Sequence, residues 1–505
     1  MTEKLIFPAD RYEVREYSAG GRSMLVRAYT GLDYCERPKD AIQKLNLFVP
    51  EAYFHRETIG DYSAGNAPIF MPNTVGGYMP GPSDEPGEDR RTGEPNSIFR
   101  ALEHGYVVAS AGVRGRITGK RSAEFFEGSL AGKPETGTGK KTGRAPAFIV
   151  DYKAAIRYLR LNRDLILGDT EKIITNGTSA GGALSALAGA SGNNEEYEPY
   201  LSEIGAADER DDVFAASCYC PIVDLEHADM AYEWLFSGQD RYYWPRFERT
   251  PEGIKRISGE GELTEEQKQI SPLLKKQFSE YINSLGLRDM GGHDLLTLDG
   301  NGEGPFFELV KQFVISSVED ELIARRNGRP VIGRPVPGSE IDKQDYITVS
   351  EDLFVDLDWQ RFVEKITRMK TVPAFDALDL SSGENEEFGD EDTDARHFTA
   401  FSMEHSHVPG AEIADDRIIK LMNPVRQILS GESDVAKHWR IRHGTFDRDT
   451  SLAVPVLLWA ALFNRGIDAD LSLPWGLPHS GDYDLDELFE WIDFLVLNRD
   501  EIPGK

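Results

Sequence analysis

Four short apolar runs bounded by turn residues open the chain: SMLVRAYT (23–30), LNLFVP (45–50), APIFMPN (67–73) and GYVVASAGVRGR (105–116). Their lengths and flanks predict β-strands. The period then changes, since Phe148, Ile149, Tyr152, Ala155, Ile156 and Leu159 recur at three- and four-residue steps after Pro146, and a helix is predicted over 147–163. EKIITNGTS reads as a strand ending at Ser179, AGGALSALAGA as a small-residue helix packed closely on a sheet, and FAASCYCPIVD (214–224) as the next buried strand. Strand and helix in alternation predict a parallel sheet with helices on both faces.

From 225 to 424 amphipathic helix and charge dominate, with FSEYINSLGL (278–287), FFELVKQFVISSVEDELIARRNG (306–328) and DLDWQRFVEKITRMK (356–370). The earlier pattern then resumes as strand 438–444, helix 451–466, strand 468–475 and helix 484–497. The expected organisation is one α/β domain in two parts, 1–224 and 425–505, interrupted by a mainly helical insertion over 225–424 that acts as a lid. No internal repeat is visible.

The 505 residues, 40% hydrophobic, suffice for a large core. The first residues mix charge and proline where a secretory signal needs an apolar stretch, and no run approaches a membrane span, so a cytoplasmic protein without a membrane partner is expected. Cys35, Cys218 and Cys220 are too few for a disulfide framework and wrongly spaced for zinc; they read as buried small hydrophobes. A net charge of −30 repels nucleic acid at long range. The acid-rich runs 192–212 and 381–397 read as solvated surface.

Gly177-Thr178-Ser179-Ala180-Gly181 is a short motif and gains weight from its flanks, a strand entering and a helix leaving. The turn pushes the hydroxyl outward, and the helix N-terminus favours a developing oxyanion. A serine nucleophile needs a base and an orienting carboxylate, in this architecture in the order Ser, acid, His, each after a late strand. His479 directly follows the last predicted strand, and Asp447 and Asp449 follow the one before it. Either aspartate suits the triad, with substrate binding or helix capping left for the other. The long interval between Ser179 and these acids accommodates the insertion. An oxyanion hole needs the N–H of Ala180 and a second donor, for which Gly76 and Gly77 in PNTVGGYMPG (72–81) are placed.

Other motifs fail. TGTGKKTGR (136–144) lacks the spacing and leading strand of a phosphate loop. DGNGEGPFFEL (299–309) lacks the final glutamate of a calcium loop, and DEDTDAR (390–396) its glycine. No cofactor or metal is expected.

In the blocks GTSAGG, KTVPAFDALDLSSGENEEFG (370–389), RIRHGTFDRDTS (440–451) and PWGLPHSGDYD (474–484), and in its long insertion, the chain resembles the bacterial tannases, α/β-hydrolases that cleave galloyl esters. The resemblance implies a triad of Ser179, Asp447 and His479, and a galloyl ring gripped by Lys370, Glu384 and Asp449. The physical sense is clear: adjacent phenols donate to two carboxylates while an ammonium stabilises phenolic oxygen. Thr178 and Pro478 stand where fungal tannases and feruloyl esterases carry a linked cysteine pair, so that arrangement is absent. The implied partner is a small phenolic ester. A feruloyl or caffeoyl (chlorogenate-type) esterase on the same scaffold is the alternative, and a non-catalytic hydrolase-like binding protein is set against the presence of all three triad members.

Overall fold

The computed structural model describes residues 3–89, 92–119, 140–250, 253–329, 332–350 and 355–497. The part before the insertion holds β1 (Glu13–Ala19), β2 (Arg22–Leu32), β3 (Leu45–Pro50), β4 (Pro68–Pro72), α1 (Ser97–His104), β5 (Val107–Ala111), α2 (Ala147–Leu161), β6 (Asp169–Thr178), α3 (Ala180–Ala190), α4 (Glu198–Ile204) and β7 (Ala215–Tyr219). The four opening runs are strands, with β1 and α1 added between and around them. The run 105–116 stays in the sheet only to Ala111, because Val113 leaves it to exchange backbone hydrogen bonds with Gly81.

The stretch 225–424 contains α5 (Leu225–Phe236), β8 (Arg241–Thr250), β9 (Gly253–Glu262), α6 (Glu265–Leu285), α7 (Pro305–Arg326), β10 (Ile347–Val349), β11 (Val355–Leu357), α8 (Trp359–Ile366), α9 (Gly383–Glu387), α10 (Ala400–Glu404) and α11 (Asp416–Leu421). Among its described residues helix outweighs strand, and two hairpins, β8–β9 and β10–β11, lie between the helices. Helix α6 also begins well before 278, at a Thr264–Gln267 capping box in which each residue bonds the other's backbone N–H. After α12 (Pro424–Ser430) come β12 (His438–Arg442), α13 (Ala453–Asn464), β13 (Ala469–Ser472) and α14 (Leu485–Val496).

Nine strands form one sheet in the order β1-β2-β3-β5-β4-β6-β7-β12-β13. The β1–β2, β2–β3 and β3–β5 pairs are antiparallel, and every pair from β5 to β13 is parallel. Strands β3, β4, β5 and β7 are buried at every position, which is why they read as continuous apolar runs rather than alternating ones. Helix α3 is also wholly buried, and its small side chains permit close approach: a Cβ on Gly189 would stand 2.8 Å from the Trp439 ring on β12. With helices packed on it, this mostly parallel sheet is an α/β-hydrolase fold.

Most acids of the two acid-rich runs are exposed or partly exposed, as a solvated surface requires, and Asp211 and Glu387 are the departures. Asp211 is buried and pairs with Lys153 at 2.6 Å and Arg157 at 2.7 Å, where the segment after α4 meets the cationic side chains of α2. In 381–397, Asn385, Glu387 and His397 are buried. Single-sequence charge density does not reveal that a facing helix carries the complementary charge. All three cysteines are buried and unpaired. Among the described residues no helix is long and apolar enough to cross a membrane.

Candidate active site

Ser179 occupies the step between β6 and α3 with φ 65° and ψ −126°, a conformation that non-glycine residues avoid at a cost of about 1–3 kcal/mol. Its neighbours make the step possible. A Cβ on Gly177 would overlap the Gly181 carbonyl and the Asn73 side chain, and one on Gly181 would stand 2.5 Å from Asn73 Oδ1 and 2.7 Å from the Val75 carbonyl. The backbone is pinned from the next strand, since Ser179 N–H donates to Tyr219 at 3.0 Å and Ile222 N–H donates to the Ser179 carbonyl at 3.3 Å. Ala180 begins α3, so its N–H is one of the unshared donors of a helix N-terminus.

The loop after β4 lies against this turn. Asn73 Nδ2 donates to the carbonyls of Asn176 and Gly181 at 3.0 Å each, and Asn73 Oδ1 accepts from Val75 N–H at 3.2 Å. Gly76 and Gly77 follow at once and are exposed, with Gly77 at φ 55°. Asn73 is a brace that the sequence did not flag; its place directly after an apolar run was the available signal.

Asp447 follows β12 and His479 follows β13, both at the carboxyl ends of parallel strands, as does Ser179. His479 Nδ1 lies 2.7 Å from Asp447 Oδ2, while Asp449 Oδ2 is 3.9 Å from the same nitrogen. Of the two aspartates, Asp447 is the one within hydrogen-bond distance of His479. Asp447 is fully buried and Asp449 remains partly exposed. The His479 loop rests on the serine turn: a Cβ on Gly481 would overlap the Thr178 hydroxyl, and Asn176 Nδ2 donates to Asp482 at 2.9 Å.

The electrostatics follow from burial and pairing. Burial alone lowers the His479 pKa, but the Asp447 carboxylate raises it more, and the result lies well above the usual histidine value. Burial raises the Asp447 pKa, yet His479 and His443 hold it well below the ordinary carboxylate range. His443, also fully buried, has its own pKa pushed down by burial and sits behind the pair, with Nε2 3.7 Å from Asp447 Oδ2.

Lys370 and Glu384 are half-buried rather than free surface groups. The Lys370 ammonium lies over the Phe375 ring at 3.8 Å. Tyr232 on α5 accepts from Met369 and Lys370 N–H at 2.9 and 3.0 Å and donates to the Arg448 carbonyl at 3.1 Å, so one phenol ties the Lys370 segment to the Asp447–Asp449 segment. Glu384 lies on α9 near Arg116 and Tyr78. Tyr232 carried no sequence signal, because its role depends on two segments distant in the chain.

Two overlapping sets of donor atoms, Cys220 with His443 and Asp447, and Asp447 with Asp449 and His479, each lie within 4.8 Å. Asp447 is common to both and is engaged by His479 and by Asp449 N–H at 2.8 Å, so neither set is a free cage. Asp390 caps its own turn and pairs with Arg396, and Asp299 accepts from Asn301 and Glu303 N–H. Of the rejected phosphate-loop stretch, 136–139 lies outside the described residues.

Comparison with known proteins adds names to this geometry. The family model BD-FAE matches residues 139–233, the stretch around the serine turn. The crystal structure of a tannase from Lactobacillus plantarum superposes with a TM-score of 0.87 and 45% identity, covering 97% of this chain and all of that one. Fusobacterium nucleatum tannase gives 0.85 and 44%, over 97% of this chain and 99% of its own. A tannin acyl hydrolase in complex with ethyl gallate gives 0.85 and 46%, over 98% and 99%. Esterase LipC of Mycobacterium tuberculosis is 47% identical over 60 residues, spanning 12% of this chain and only 15% of that protein.

Proposed function

Because the chain belongs to the tannase family of carboxylic ester hydrolases, we propose that it cleaves galloyl esters through Ser179, His479 and Asp447, releasing gallate and an alcohol. The observation that carries the reading is the 2.7 Å contact between His479 Nδ1 and Asp447 Oδ2, on a loop seated against the strained turn of Ser179.

The chemistry runs in two halves. Asp447 accepts a hydrogen bond from Nδ1–H of His479, which keeps the proton on Nδ1 and leaves Nε2 as the base. His479 takes the Ser179 hydroxyl proton as the oxygen attacks the ester carbonyl, and the N–H groups of Ala180 and of the Gly76–Gly77 loop receive the oxyanion. Collapse expels the alcohol, protonated by His479; water, deprotonated by the same ring, then hydrolyses the galloyl-serine. Lys370, Glu384 and Asp449 grip the three phenols, and residues 225–424, which supply Lys370 and Glu384, serve as the lid domain. No cofactor enters any step, and the three unpaired thiols fit a cytoplasmic setting.

The test is hydrolysis of methyl gallate, methyl caffeate and methyl ferulate side by side. A site built to bond every ring hydroxyl disfavours an analogue lacking one, because buried polar groups lose their partners. Strong preference for gallate is expected; equal or faster ferulate turnover would replace the galloyl assignment with the feruloyl one.

A further inference from the structure

The sequence assigns no role to Arg116, which lies in the loop after β5. Its backbone N–H donates to the Tyr78 carbonyl at 2.8 Å and its Nε to the Gly77 carbonyl at 2.9 Å, both in the candidate oxyanion loop. The other end of the guanidinium bonds Glu386 through Nη1, on the helix α9 that carries Glu384. The contact is intimate: a Cβ on Gly383, at the start of α9, would stand 2.9 Å from Arg116 Cζ. The side chain is 23% exposed, and burial lowers its pKa while the nearby Glu384 and Glu387 carboxyls raise it. A guanidinium presents its donors at fixed angles in one plane, so a single rigid group spans the loop that receives the carbonyl oxygen and the helix that receives the ring.

We propose that Arg116 is a positioning residue that fixes the separation between the oxyanion loop and the ring-binding helix, and thereby the length of acyl arm the enzyme accepts. The proposal rests on the roles given above to Gly76, Gly77 and Glu384. In a galloyl ester the carbonyl is conjugated directly to the ring, so the distance from carbonyl oxygen to ring hydroxyls is set by the substrate and cannot adapt. A cinnamate inserts two further carbons between them. A protein that holds its two receiving elements at the shorter distance selects benzoate-type esters before any hydroxyl is counted. Misplacement by about 1 Å costs on the order of 100-fold in rate.

The experiment measures kcat and KM of wild type, R116A and R116K on methyl gallate, methyl caffeate and p-nitrophenyl acetate, which has no ring on its acyl side. For R116A, kcat/KM on methyl gallate is expected to fall about 10- to 100-fold, through both lower kcat and higher KM. On p-nitrophenyl acetate the loss is several-fold at most and confined to kcat, and the gallate-to-caffeate ratio drops. R116K keeps the charge but cannot bridge both partners, so it shows the same pattern at smaller size and carries the test if R116A does not fold. Wild-type constants on methyl gallate for a folded R116A or R116K overturn the proposal, as does an equal loss on all three esters. Failure of the galloyl reading is separate, because it appears in the wild type as ferulate turnover matching gallate before any Arg116 variant is compared.

Discussion

The candidate triad and the candidate ring grip are held in place by opposite means. Ser179, Asp447 and His479 stand on loops at the carboxyl ends of buried strands, locked by close backbone approach at Gly177, Gly181 and Gly481. Lys370 and Glu384 hang instead from a polar network. Arg368 and Glu233 form an ion pair with no exposure, the Tyr232 phenol takes two backbone N–H groups, and Asp376 accepts from His397, Asn385 and the N–H groups of Phe398 and Thr399. The triad loops are set mainly by strand ends and close packing, with Asn73, the Asn176–Asp482 bond and the buried Arg440–Asp484 pair as polar braces. The segments that carry Lys370 and Glu384 depend more on buried polar contacts, where removing one member leaves its partners unsatisfied. Mutations confined to one set are therefore expected to separate chemistry from recognition.

The largest expected effect breaks the chemistry alone. S179A is expected to lose on the order of 10⁶-fold in kcat, measured on methyl gallate, with unchanged thermal unfolding. D447N is next, at about 10⁴-fold, because the histidine loses its tautomer and orientation. It also has a pH signature. His479 must be neutral to act, and its pKa is raised, so activity is lost as pH falls through a value above the ~6.5 of a free imidazole. Without the Asp447 charge, burial is left to pull the pKa down, so the acid limb of kcat/KM in D447N moves to lower pH. An acid limb that stays put would separate Asp447 from His479.

This contrast also explains what the sequence could say. The serine turn, the two late loops and the alternation of strand and helix are local patterns, read from neighbours in the chain, and Ser179, His479 and the Asp447/Asp449 pair followed from them. Lys370 and Glu384 came only from family resemblance. Beyond the local Phe375 ring, their surroundings include Tyr232 and Arg116, which come from distant parts of the chain. The buried Asp211 and Glu387 inside acid-rich runs were misread for the same reason: a charge run does not announce the cation that will cover it. The hairpin β8–β9 was missed because its residues alternate weakly and glycines face its aromatic side chains, with Trp244 lying across Gly259.

The next test sharpens recognition. Loss of a hydrogen bond to a charged group costs about 1.5–3 kcal/mol, so K370M and E384Q are each expected to lower kcat/KM on methyl gallate by about 10- to 150-fold. Hydrolysis of p-nitrophenyl acetate, which offers no phenol to either residue, should stay close to wild type. Equal losses on both esters would assign these side chains to the chemistry and erase the distinction.

The smallest effect probes the seam between the two regions. Tyr232 joins them through one oxygen, holding Met369 and Lys370 on one side and the Arg448 carbonyl on the other. Y232F leaves two backbone N–H groups without an acceptor and costs about 1–3 kcal/mol of stability, visible as a lowered Tm. The functional consequence depends on which side yields. Lys370 is held by that phenol, whereas Asp447 has its own bonds to His479 and to Asp449 N–H. The Lys370 side should therefore relax, raising KM for methyl gallate a few-fold with little change in kcat. A fall in kcat at constant KM would mean that Arg448 had moved and carried Asp447 with it, and that the phenol serves the triad rather than the grip.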